Sequence, residues 1–422
     1  MKKTTLKTRL WALAATLLLL VSLLAMPVSA ANTPATGTTT TFNKYLVFDK
    51  NANVPNVTFT FTIEAGAAVD ASTENGNRAI YSGTDAARTT GLPVLKVDST
   101  GKNQSATVTF APTDTAGAKE GKPGDNSAAD YKHATKSITV DFSRVTYNTP
   151  GIYRYKITET ASTAPGITDD DQLVRTLDVY VKYSDETAQT LTVDNYVLYE
   201  GIPTTDDQFA QAGHAGQAAT DTKSDGYVNE YTTYDLTLAK TVTGNQGDRD
   251  KFFKFTVTIS NAVPGTVYDV TIPTTDAPTQ NDLEQGDSID NVNLDKLTVG
   301  SAQAPETTGS VTATYYIKHN QSIVIQGLTS DTAYTITETD YSTDGYTTTY
   351  AIDSGSAVTS NATPSENNTM NSSDHTVTFT NTKNGTVPTG ILLETAPYLI
   401  LGAVVVAGLV VLFATRRRRT RE

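Results

Sequence analysis

Along much of the chain, apolar and polar residues alternate in short runs broken by Gly, Pro, Asn and Asp. Period-two patterning places every second residue on one face of a strand, and long helical periods are missing. Phe42-Asn43-Lys44-Tyr45-Leu46-Val47-Phe48 predicts a first strand and Phe59-Thr60-Phe61-Thr62-Ile63 a second. Tyr153 to Thr160 and Tyr227-Val228-Asn229-Glu230-Tyr231 complete this unit. A second set follows in the same order: Leu236 to Val242, Phe253 to Ile259, Tyr334 to Thr339, then Val377-Thr378-Phe379-Thr380-Asn381. One pattern is written twice. The expectation is an all-β chain of two tandem β-sandwich domains.

Three polar residues in each unit fall on the apolar side of their strands. Lys44 shares parity with Phe42, Leu46 and Phe48, and Lys240 with Leu236, Leu238 and Val242. Glu159 lies with Tyr153, Tyr155 and Ile157, and Glu338 with Tyr334 and Ile336. Asn229 lies with Tyr227 and Tyr231, and Asn381 with Val377 and Phe379. A charge on a core face is costly unless it is paired or neutralised. The repeated order of Lys, Glu and Asn therefore marks candidate chemistry. Lys50 shares the Phe42 parity as well; Lys44 is preferred for its cleaner flanking alternation.

The trios resemble the isopeptide triads of Gram-positive pilins, and the resemblance implies a spontaneous Lys–Asn amide bond in each unit, with which the physics agrees. Desolvation favours a neutral lysine and a protonated glutamate. A neutral amine can attack the Asn side-chain carbonyl while the glutamic acid polarises it and shuttles protons as ammonia leaves. The protein would modify itself once without turnover, so it is expected not to be an enzyme.

Composition narrows the classes. With 32 basic and 45 acidic residues the net charge is −13, which repels nucleic acid and anionic lipid. No cysteine is present, which excludes disulfides, thiolate metal sites and cysteine nucleophiles. His133, His214, His319 and His375 are scattered without metal-ligand spacing. No phosphate-binding or hydrolase motif occurs, and no metal or cofactor is expected. Asp169-Asp170-Asp171 lacks the loop pattern of a dedicated calcium site and reads as a solvated acidic turn.

The two ends read as addresses. Lys2, Lys3, Lys7 and Arg9, the apolar run Leu10 to Met26, and Val28-Ser29-Ala30 form a secretory signal pattern, which assigns 1–30 to a signal peptide. A second apolar run, Ala396 to Ala414, is long enough to cross a bilayer and is closed by Arg416 to Arg419. The sandwiches are then expected over 31–231 and 232–385, with 386–422 as a sorting region.

The chain resembles a known family on these residues. Thr386-Val387-Pro388-Thr389-Gly390, ahead of the apolar run and the arginines, resembles the sortase sorting signal of Gram-positive surface proteins, although Thr386-Val387 replaces the usual leading Leu-Pro. Tyr155 to Thr160 and Tyr334 to Thr339 resemble the E-box of Gram-positive pilins. The trios resemble the isopeptide triads of T-antigen type major pilins and collagen-adhesin B-type domains. The resemblance implies immunoglobulin-like sandwiches, with Lys44–Asn229 and Lys240–Asn381 crosslinks promoted by Glu159 and Glu338. It implies cleavage after Thr389 by a sortase, linkage to neighbouring subunits and peptidoglycan, and display on the cell wall after a transient membrane stage. Lys223, in an Asp- and Gly-rich loop expected to be exposed, is the tentative acceptor of the Thr389 acyl group. Gly201 to Thr222 reads as an insertion beside it. The rival expectation is a stand-alone, wall-anchored adhesin with a host receptor.

Overall fold

The computed structural model describes residues 32–101, 103–205, 223–300, 308–360, 368–385, 401 and 404–406. The chain is nearly all β. The principal strands of the first domain are β1 (Thr39–Asp49), β2 (Val57–Ala65), β3 (Ser105–Phe110), β4 (Tyr131–Asp141), β5 (Gly151–Glu159), β6 (Ile167–Thr168), β7 (Val174–Asp185), β8 (Thr190–Glu200) and β9 (Gly226–Tyr231). Those of the second domain are β10 (Tyr234–Thr243), β11 (Phe253–Ala262), β12 (Val267–Thr271), β13 (Gly309–Ile317), β14 (Ser322–Leu328), β15 (Ala333–Glu338), β16 (Thr347–Ile352) and β17 (His375–Thr382).

Each domain packs two sheets face to face around its own apolar core. In the first, the sheet β8-β7-β5-β2-β3 faces the sheet β6-β9-β1-β4. In the second, β13-β11-β15 faces β12-β14-β10-β17-β16. The alternation seen in the sequence is the physical basis of this packing. Val57, Phe59, Phe61 and Ile63 of β2 point inward, as do Leu236, Leu238 and Val242 of β10. The threonines between them face outward.

The last strand of each domain lies beside the first, in parallel. β9 pairs with β1, placing Tyr227 opposite Lys44 and Asn229 opposite Leu46. β17 pairs with β10, placing Phe379 opposite Lys240 and Asn381 opposite Val242. The stagger between lysine and asparagine is thus the same in both domains. Gly226 permits the entry of β9, because a Cβ there would stand 1.9 Å from the Asn43 carbonyl oxygen.

β1 departs from the clean alternation read around Lys44. Every residue from Lys44 to Phe48 is buried. The outer face is covered as well, with Tyr45 packed edge-on against His133.

Only Thr232 and Thr233 separate β9 from β10. Across this joint Asn53 Nδ2 donates to Asp269 Oδ2 at 2.9 Å and to the Val267 carbonyl at 3.2 Å. Asn56 donates to the Pro264 carbonyl. Among the described residues no helix is long and apolar enough to cross a membrane. Residues 1–30, the sorting pentapeptide 386–390, most of the apolar run after it and most of Gly201 to Thr222 lie outside the described residues.

Candidate functional site

Each domain assembles Lys, Glu and Asn in its core, where parity placed them. Lys44 and Asn229 come from the adjacent strands β1 and β9, and Glu159 comes from the end of β5 in the facing sheet. Lys44 Nζ lies 2.7 Å from Glu159 Oε1, with both side chains inaccessible to solvent. Asn229 Nδ2 donates to the same carboxylate oxygen at 3.0 Å. Glu159 therefore touches both groups.

The second domain repeats the arrangement. Lys240 Nζ lies 2.8 Å from Glu338 Oε1, again with both side chains inaccessible. Asn381 Nδ2 donates to Glu338 Oε1 at 2.8 Å. Lys44 sits over the Phe59 ring at 4.5 Å and Lys240 over the Phe253 ring at 4.3 Å. The glutamates share register positions too, Glu159 opposite Phe61 and Glu338 opposite Phe255. Tyr227 and Phe379, each two residues before its asparagine, pack against Phe61 and Phe255.

The surroundings tune the ionisable groups. Burial pulls Lys44 down to about 8, against the opposing pull of the Glu159, Asp170 and Asp169 charges. Burial likewise pulls Lys240 down to about 8, with Glu338 opposing. Burial raises both glutamates above the ordinary carboxylate range, and the neighbouring lysines only partly offset it. A shared proton on the carboxyl and a free amine is therefore an accessible state in each core.

The two sites differ at the amide oxygen. In the second domain Asn381 Oδ1 and Glu338 Oε2 are buried and have no hydrogen-bond partner among the described residues. In the first domain Asn229 Oδ1 accepts from the Asp170 backbone N–H at 2.9 Å. Asn229 Nδ2 also donates to Asp169 Oδ1 at 3.2 Å. Asp170 Oδ2 in turn accepts from the Val228 N–H at 2.7 Å and from Arg175 Nη2 at 2.8 Å. Asp169 and Asp170 are half-buried, so the solvated acidic turn expected from sequence is corrected. Only Asp171 of the three is exposed. β6 runs antiparallel to β9 and delivers the two aspartates beside Asn229.

The remaining candidates fall elsewhere. Lys50 is 41% exposed and pairs with Asp130 at 2.7 Å. Lys223 is half-buried rather than exposed, and its backbone bridges Tyr199 of β8. Among the described residues no group of three His, Asp or Glu side chains could hold a metal ion.

Two family models match the chain, one to each domain. Residues 40–232 match the Spy0128-like isopeptide containing domain. Residues 234–383, which hold the second trio, match a domain of unknown function, DUF7601. A protein described as pilin from Streptococcus pyogenes serotype M1 is 29% identical over 376 residues, covering 88% of each chain. The major pilin structure from Streptococcus pyogenes is similar at 24% identity, covering 83% of this chain and 99% of that chain with a TM-score of 0.47. The T3.2 major pilin structure from the same species is 18% identical, covering 83% of this chain and 99% of that one, also at 0.47.

Proposed function

We propose that this chain is the shaft subunit of a covalent surface pilus, and that each of its domains welds its first strand to its last through a Lys–Asn isopeptide bond. The observation that carries this reading is the repeated buried trio, in which one glutamate bridges a lysine and an asparagine on neighbouring parallel strands. Nζ of Lys44 or Lys240, as the free amine, attacks Cγ of Asn229 or Asn381. The new N–Cγ bond forms, the Cγ–Nδ2 bond breaks, and ammonia leaves. Glu159 or Glu338 donates its proton to Nδ2 and takes one from Nζ, so it ends as it began.

The product suits a fibre under load. A tie between terminal strands carries tension past the rest of the sandwich. In the chain-entropy picture used for disulfides, closing loops this long contributes about 5 kcal/mol per bond.

Polymerisation belongs to the same reading. Cleavage between Thr389 and Gly390 by a sortase would pass the Thr389 acyl group to an acceptor lysine on a neighbouring subunit, for which Lys223 is the candidate, and finally to peptidoglycan. Export and a transient membrane stage follow from the two ends of the sequence. Immunoblots of cell-wall extracts test this: a ladder of high-mass species is expected, and a single monomer-sized band would contradict assembly.

A further inference from the structure

We infer that the Asp169-Asp170 turn positions the amide of Asn229 for the first-domain condensation, a device without a counterpart among the described residues of the second domain. The inference rests on the isopeptide reading above. Three hydrogen bonds orient the amide of Asn229. Its oxygen takes a backbone N–H from Asp170 at 2.9 Å, and its nitrogen faces Glu159 Oε1 at 3.0 Å and Asp169 Oδ1 at 3.2 Å. A backbone N–H can only donate and the Asp169 carboxylate only accepts, so these two fix which end of the amide is which.

The same contacts strengthen along the reaction. When Lys44 Nζ adds to Cγ, the carbonyl oxygen becomes an oxyanion, and the Asp170 N–H already points at it. When Nδ2 takes the proton from Glu159, it becomes a cationic leaving group beside the Asp169 carboxylate. The Cγ–Nδ2 bond then breaks and ammonia departs, with no other reactant needed. Ser162 N–H holds Asp169 at 3.0 and 3.1 Å. Val228 N–H, Arg175 and Gln172 N–H hold Asp170. Asp169 and Asp170 act as positioning residues, and both charges oppose the loss of the Lys44 proton. Burial outweighs that opposition, since Lys44 and Lys240 both come to about 8.

The two domains of one chain provide an internal control. The full chain is synthesised cell-free and quenched at intervals. Intact mass counts the ammonia lost, and digestion assigns each loss to Lys44–Asn229 or Lys240–Asn381. In Asp169→Ala the first-domain crosslink should form on the order of ten- to a hundred-fold more slowly, as for a lost hydrogen bond to a charged group, while the second keeps its rate. Asp169→Asn retains an acceptor oxygen and should recover most of the rate. An unchanged first-domain rate in Asp169→Ala, or equal slowing in both variants, overturns the inference. If Asp169→Ala leaves the first domain open to protease, Asp169→Asn alone decides: near-normal crosslinking supports the positioning role, and slowing of ten-fold order overturns it. Absence of ammonia loss from both domains of the unmutated chain would instead remove the isopeptide reading itself.

Discussion

Lys44 and Glu159 meet at 2.7 Å across the space between two sheets, in a core that admits no water to either side chain. Removing a charge pair from water costs several kcal/mol per ion in real proteins. A permanent ion pair is therefore an expensive way to fill this position, and a reaction that ends in a neutral amide removes the cost. On the proposed reading, the burial of Lys44 and Lys240 serves the chemistry, because burial is what lowers both amines.

Lys44 and Lys50 share a parity but not an environment. Lys50→Ala should leave the first-domain crosslink intact, since its ammonium faces solvent beside Asp130. Lys44→Ala should abolish it and spare the second domain. Peptide mapping of the crosslinked fragments distinguishes the two outcomes.

The rate of crosslinking should be bell-shaped in pH. The reactive state holds one proton on the pair, carried by the glutamic acid, with the amine free. Above about 8, where the buried lysines titrate, the pair loses that proton and the glutamate has none to pass to the leaving nitrogen. On the acid side a second proton charges the amine and stops attack. That limb lies above the ordinary glutamate value of 4.5, because burial raises both carboxyls. Chain recovered unfolded from inclusion bodies, refolded over a pH series and quenched for mass analysis, gives the profile. A rate that rises steadily through pH 10 would contradict the role of the acid.

Two variants that both lack the second crosslink should differ in stability. Asn381→Ala leaves the Lys240–Glu338 pair at 2.8 Å, whereas Glu338→Ala leaves a buried lysine with no carboxylate. Glu338→Ala should be the less stable by about 3 kcal/mol. Denaturant unfolding of the two proteins at one pH reads the difference.

Much of this was legible in the sequence, and the exceptions have physical causes. Lys240 was legible because Leu236, Leu238 and Val242 alternate cleanly around it, and only one face of β10 is buried there. Around Lys44 parity carried less information, because both faces of β1 are covered. Asp169 and Asp170 were misread as a water-facing turn. Their partner Asn229 is some sixty residues away, and only the pairing of β6 with β9 brings them together. The exposure expected of Lys223 is only partial, and its backbone is bridged to Tyr199. Alternation reports which face is buried, and it is silent on which distant segment supplies the cover.

Arg154 offers a stability test away from the trios. It forms a two-pronged pair with Asp178 at 2.8 Å through Nε and Nη2, and donates to the Pro203 carbonyl at 2.8 Å. Both side chains are buried, and burial raises Asp178. Arg154→Ala should cost about 3–5 kcal/mol by stranding that carboxylate. Thermal unfolding should be measured in an Asn229→Ala background, where the first-domain crosslink cannot mask the loss.

The most direct measurement is the intact mass of recombinant Ala31 to Thr389. The account predicts a protein lighter than its sequence by two ammonia molecules. One should be restored by Lys44→Ala or Glu159→Ala, and the other by Lys240→Ala or Glu338→Ala. A full sequence mass in the folded, unmutated protein would contradict it.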